Sequence, residues 1–147
     1  MRKQMALFSI ILAILPAKVT YAQEKKLTIA VAEFEARQVS ASNAVTVSDF
    51  LRSALINMDL FTVVERSNMD MIMAEQRLQW SGCTTQDCIV QMGKVLNVKK
   101  IIYGNLSKLG KNFYIVANVV DIETGDIEKS AKTRSSSLEE INAVIDN

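Results

Sequence analysis

Along the chain the apolar positions switch between two periods. Residues 27–34, Leu-Thr-Ile-Ala-Val-Ala-Glu-Phe, form a nearly continuous apolar run of small and β-branched side chains. That is the pattern of a strand in the middle of a sheet. Residues 35–43 are polar and read as a loop. Beyond them Val47, Phe50, Leu51, Ala54, Leu55 and Met58 recur at helical spacing and predict an amphipathic helix of about four turns. Residues 60–64 read as a second strand. Ser67 and Asp70 have the spacing of a capping box, which is expected to open a helix running to about Leu78. Thr84 or Thr85 then caps a third helix whose inner side is Cys88, Ile89, Met92, Val95 and Leu96.

From Lys99 the period becomes two. Residues 99–108 and 113–122 predict two strands joined by a turn at residues 109–112. A second turn at residues 123–126 uses Gly125 for a positive φ. Residues 127–133 make a third strand of this meander, polar enough for an exposed edge. Ser137 and Glu140 form a full capping box that starts a last helix, with Leu138, Ile141 and Val144 inward. The element order is β-α-β-α-α-β-β-β-α. It predicts a single-domain α/β sandwich, a five-stranded mixed sheet with helices packed on its faces.

The first 22 residues belong to a different pattern. Arg2 and Lys3 precede an apolar run of 11 residues, Met5 to Leu15, and Thr20-Tyr-Ala22 offers a small-x-small cleavage site before a polar segment. These are the three parts of a secretory signal peptide. Read as an uncleaved anchor, the same run would make a helix only about 16 Å long, against a bilayer core of about 30 Å. The expected division is therefore a signal peptide over 1–22 and one α/β domain over 23–147, periplasmic after export. No later segment approaches the 18 apolar residues of a spanning helix, and no cysteine near Ala22 is placed to carry a lipid.

Charge and composition narrow the chemistry. The chain has 17 basic and 16 acidic residues, and three of the basic ones, Arg2, Lys3 and Lys18, lie in the leader. Without them 14 basic residues face 16 acidic ones, a net charge of −2, which gives no global footprint for nucleic acid. There is no histidine, which excludes Ser-His-Asp and Cys-His mechanisms and imidazole metal sites. No phosphate-binding glycine loop or nucleophile elbow is present. Neither a cofactor nor catalysis is expected.

Export gives Cys83 and Cys88 a meaning. In an oxidising compartment two thiols so close in sequence are expected to pair, and their spacing is not that of redox or zinc motifs. Met69, Met71 and Met73 have the M-x-M spacing of a Cu(I) site. On a helix, however, Met71 points away from the other two, which favours core packing. Glu65 and Glu75 are the candidate acid–base carboxylates; the structural reading pairs Arg66 with Glu75 across the helix start. Trp80 is either packed on the neighbouring disulfide or exposed as a binding anchor.

Strung together, residues 27–34, 61–67, the helix through Glu75, residues 101–105 and residues 120–127 resemble the CsgG family, which includes the outer-membrane secretion component of the curli system. The closest pieces are Val64-Glu-Arg66, the Ile-x-x-Gly ending at Gly104, and the strand turn at Thr124-Gly125. Related folds occur in LpoB-type activators of penicillin-binding proteins and in the N-terminal domain of TolB. The resemblance implies a periplasmic α/β domain acting by protein–protein contact in envelope assembly, associated with the outer membrane through partners from secretion, flagellar or cell-wall synthesis machinery, and it makes self-association an expectation. Glu65, Arg66, Glu75, Trp80, Gly104 and Gly125 are the candidate interaction or structural positions. The family's membrane-spanning hairpins need strands of about 9–11 residues. Residues 106–113 read instead as a tight hairpin, and residues 37–43 lack the aromatic side chains of the family's channel constriction. The soluble module carries over, not the pore. The alternatives are an LpoB-like synthase activator and, less favoured, a small-ligand-binding or enzymatic domain.

Overall fold

A computed structural model describes residues 25–77 and 83–145 of the chain. The expected signal peptide, the helix end at Leu78, Trp80 and the inward side chain of Val144 lie outside the described residues.

Residues Leu27–Val31 form β1, an interior strand of a mixed sheet. Its period of two is used on both sides. Ile29 and Val31 enter one core, Ala30 and Ala32 the other. Parallel neighbours flank it: β3 (Phe61–Val63) pairs Leu27 with Phe61, and β4 (Lys100–Leu109) pairs Val31 with Ile102. β5 (Asn112–Asp121) and β6 (Ile127–Ser135) continue the sheet antiparallel, giving the order β3-β1-β4-β5-β6. The hairpin between β4 and β5 is tight. Its register runs from Lys100 opposite Asp121 to Leu109 opposite Asn112, leaving only Gly110 and Lys111 in the turn.

The sheet has one more strand than the five expected. Residues 35–43 are not all loop: Glu35–Arg37 form β2, parallel to the far half of β4, with Glu35 beside Asn105 and Arg37 beside Ser107. β1 and β2 are nearly one strand, interrupted where the chain leaves the ladder. At the interruption the Phe34 N–H donates to Ser48 Oγ at 2.9 Å, and that hydroxyl donates to the Ala44 carbonyl. A helix side chain thus satisfies the amide that the sheet releases.

Four helices cover the faces. α1 (Ala41–Asn57) is capped by Ser40, whose Oγ accepts from Asn43 N, and buries Val47, Ala54 and Leu55 as expected. Met58 does not face the core; it sits at the helix end, 54% exposed. α2 spans Arg66–Glu75 with Glu65 at its N-cap. The expected capping box is therefore misplaced, because Ser67 lies inside the first turn. α3 (Gln86–Val95) begins at Thr85, whose Oγ1 accepts from Cys88 N, and it buries Ile89 and Met92. Ser137 Oγ does accept from Glu140 N at 3.3 Å, and the short α4 (Ile141–Ile145) follows with Ile141 fully buried.

Ile29, Val31, Phe34, Ala44, Val47, Leu106, Ile115 and Ile141 make the core under α1 and α4; Ala30, Ala32, Met69, Met73, Ile89, Met92, Ile101 and Val120 make the core under α2 and α3. The connections from β1 to β3 and from β3 back to β4 run on opposite faces in opposite directions across the sheet, so both crossovers share one hand.

Candidate functional site

Two places gather polar side chains. The first lies where β1 and β3 end. Arg66, at the start of α2, pairs with Glu33 just beyond β1, and also reaches Asp49 of α1 at 3.7 Å and Asp70 at 4.0 Å. Arg52, buried in α1, pairs with the same Asp49 and donates from its other terminal nitrogen to the Val31 carbonyl at 2.8 Å. Its Nε has no partner within the described residues. Two guanidinium groups and three carboxylates thus tie the end of β1 to α1 and α2. Every charge has an opposite charge close by, and the Arg52 donor satisfies a carbonyl where the ladder breaks. The cluster clamps elements together.

The expected site residues divide around this clamp. Arg66 is in it, but its partners are Glu33, Asp49 and Asp70 rather than Glu75. Arg66 and Glu75 are the first and last residues of α2, about 14 Å apart along its axis, too far for a salt bridge. Glu65 is exposed at the N-cap and makes no side-chain capping bond. Glu65 and Glu75 consequently do not form an acid–base pair. Met69 and Met73 are buried in the same core while Met71 is 55% exposed, so the Met71 side chain points away from the other two. Among the described residues no three His, Cys, Asp or Glu side chains converge as a metal site would require. Cys83 and Cys88 are disulfide-bonded, with Cα atoms 5.7 Å apart, linking the segment ahead of α3 to its first turn.

The two glycines are structural. A Cβ on Gly104 would stand 1.8 Å from the Val116 carbonyl oxygen. Gly104 also falls between the part of β4 that pairs β1 and the part that pairs β2. Gly125 has φ +79°, and its carbonyl accepts from the Gln86 side chain, fixing the β5–β6 turn against α3.

The turn carries its own electrostatics. Asp121 Oδ1 accepts from the Thr124 and Glu123 amides at 3.0 and 2.9 Å, and Lys100 lies 3.5 Å from its other oxygen. The Thr124 amide foremost, with the Glu123 amide and Lys100, holds the Asp121 carboxyl below the usual carboxylate range. Lys100 is raised above the ordinary lysine value, chiefly by its hydrogen bond to Glu128.

The second polar place was not anticipated from the sequence. α2 and α3 cover only the near half of their face, over Ala30, Ile101 and Val120. On the far half β2, β4, β5 and β6 display Arg37, Asn105, Ser107, Leu109, Tyr114, Val116, Lys132 and Arg134. Cross-strand register puts these on one side: Arg37 beside Ser107, Ser107 opposite Tyr114, Tyr114 opposite Arg134, Val116 opposite Lys132. No helix packs there among the described residues. The Lys132 ammonium sits 5.2 Å from the centre of the Tyr114 ring, and Leu109 is 69% exposed at the hairpin end. The signal was the alternation in β5 itself, where Tyr114, Val116 and Asn118 interleave with Phe113, Ile115, Ala117 and Val119. On the opposite face, a cavity of about 210 Å³ opens between α1, α4, β5 and β6, lined by Phe34, Val47, Leu51, Ile115, Ala117 and Ile145 among others.

A fold of this kind can be placed among known proteins. The model of the curli production assembly/transport component CsgG matches residues 17–116, more than half of the chain. The chain belongs to the CsgG family. The structure of this CsgG-family chain is similar to the LpoB C-terminal domain from Salmonella enterica, at TM-score 0.65 and 19% identity, over 77% of this chain and 84% of that one. It is also similar to lipoprotein GNA1162 from Neisseria meningitidis, at TM-score 0.61 and 10% identity, over 75% and 80% of the two chains. PelC from Paraburkholderia phytofirmans, solved as a dodecamer, aligns at TM-score 0.57 and 10% identity, over 82% of this chain and 83% of that one. At such identities the likeness is one of fold. No curated protein sequence matches the CsgG-family chain. None of its described helices is long and apolar enough to cross a membrane.

Proposed function

We propose that this CsgG-family protein is an exported, non-catalytic interaction module of the bacterial envelope, contributing to an assembly or secretion complex without itself forming a pore. The family match over residues 17–116 carries this reading. The site chemistry supports it. The acidic and basic groups at the strand ends neutralise one another, Glu65 and Glu75 stand at opposite ends of α2, and β4 and β5 are joined by two residues where the pore-forming relatives insert membrane hairpins. The leader over residues 1–22 delivers the domain of residues 23–147 to the periplasm, where contact with partners holds it near the outer membrane.

A second reading has its own support. The fold shared with LpoB covers most of both chains, which favours a role as activator of a penicillin-binding protein. The dodecameric neighbour favours self-assembly as a further property of the module.

Crosslinking in living cells, with a C-terminal tag and mass spectrometry of what co-purifies, tests the proposal. Recovery of a secretion or assembly component supports the first reading, and recovery of a cell-wall synthase supports the second. Recovery of cytoplasmic proteins alone overturns both.

A further inference from the structure

The uncovered half of the sheet is a surface with a chemistry of its own. Outside the leader the chain carries more acid than base, yet Arg37, Lys132 and Arg134 meet on this face and Lys111 stands at the hairpin end beside it. Among the described residues one carboxylate shares it: Glu35, which accepts from Arg37 at 2.7 Å, leaving the arginine side chain still 57% exposed. Glu140, at the same end of the sheet, lies behind it and accepts from Ser136. Lys108, on that rear face too, is held over Phe113 at 5.4 Å. Lys132 and Arg134 make no ion pair within the described residues; the Lys132 ammonium is placed over Tyr114. Cations displayed on a rigid sheet, two of them with no acid to neutralise them among the described residues, set up a local field that a neutral partner would not use.

The floor between the cations is not uniformly polar. Tyr114, Val116 and Leu109 give a partly exposed apolar strip between Asn105, Ser107 and Arg134. A polyanion with only charge to offer, such as a phosphate surface, would leave this strip unused. A polypeptide with acidic side chains around an apolar or aromatic one would use both, since aromatic and arginine groups carry the energy of protein interfaces.

We infer that the open far half of the sheet, centred on Tyr114, Val116, Lys132 and Arg134, is the docking surface for an acidic segment of a partner protein. This rests on the reading of the chain as an envelope interaction module and names the surface and the partner's chemistry.

The test has two arms. In the first, the purified exported chain is titrated with synthetic twelve-residue peptides of constant apolar content and varied Asp and Glu number. Affinity is expected to rise with acid number, to fall with salt, and to drop about tenfold or more in the Lys132→Glu/Arg134→Glu variant. The gentler Lys132→Gln/Arg134→Gln variant should fall between, with an unchanged unfolding temperature serving as the check on folding. Equal binding of acidic and basic peptides overturns the proposal. So does binding to phosphatidylglycerol vesicles or polygalacturonate that depends on the same residues and exceeds the peptide affinity.

In the second arm, a photo-crosslinking amino acid replaces Val116 in cells, or Met71 on α2 as a control. An envelope protein caught through Val116, by an acidic segment identified in the crosslinked peptide, and lost in the charge-reversed variant, supports the inference. An envelope protein caught only through Met71 overturns this surface but leaves the module reading standing. Cytoplasmic proteins alone at both positions overturn both.

Discussion

Gly104 shows how a single residue sets the shape of this sheet. β4 changes partners along its length, from β1 to β2, and Gly104 sits at the change with the Val116 carbonyl where a side chain would be. Gly104→Ala is therefore expected to destabilise by about 3 kcal/mol or more, since a strand backbone, not a flexible side chain, would have to move. Chemical denaturation of the two proteins checks it. Asp121 makes a prediction of a different kind. Its carboxyl is held low by the Thr124 and Glu123 amides and by Lys100, so its folded value lies below its unfolded one of about 3.9. The stabilisation is then fully present above about pH 4 and disappears as pH falls through the folded value. Asp121→Asn should lower the denaturation midpoint at neutral pH, and the gap from the native protein should close as the pH is taken below 4. A gap that stays constant to pH 2 would remove the carboxylate from this account.

At the scale of elements, legibility followed the reach of the interactions. Long periodic segments were readable: α1, α3 and the three meander strands fall where the apolar spacing put them, because burial of one face decides them locally. β2 was not, since three residues carry too little period, and what makes them a strand is the distant edge of β4. The start of α2 was misread for a related reason. Ser67 and Asp70 have capping-box spacing, but the chain stays extended past β3, with Val64 N–H bonded to the Ile29 carbonyl, and Glu65 in the extended cap conformation starts the helix at Arg66, ahead of Ser67. The candidate site was legible to the same extent. Arg66 was picked out, but its partners Glu33 and Asp49 are 33 and 17 positions away, beyond any local pattern, and the buried Arg52 sat unnoticed in a helical stripe. The misreading of α2 yields a prediction. Glu65 occupies the N-cap without a side-chain bond to the turn, and aspartate there is shorter, better placed and equally charged. Glu65→Asp should stabilise by about 0.5–1 kcal/mol, read from the urea midpoint. If Glu65 also contacts a partner, the same variant would gain stability while losing binding, which separates the two roles.

For the whole molecule, the leader and the disulfide are one argument. The apolar run of residues 5–15 has the pattern of an export signal, and Cys83 and Cys88 are joined across a short loop that a reducing cytoplasm would keep open. On the chain-entropy model so short a loop contributes about 2 kcal/mol. It does so beside the N-terminus of α3, one of the two helices that close the core over Met69 and Ile101. Compartment and stability should therefore change together. Protein recovered from the periplasmic fraction is expected to begin at Gln23 and to react with a maleimide only after reduction. A leader variant with Leu12→Glu and Leu15→Glu should remain in the cytoplasm with reactive thiols and unfold at lower denaturant than the exported form. Adding an oxidant to that retained protein, after removal of its leader, should restore the difference, because the cross-link and not the route supplies it. Recovery of the native chain in the membrane fraction with Met1 still attached would replace the cleaved signal by an anchor. Reactive thiols in the exported protein would detach the disulfide from the export argument.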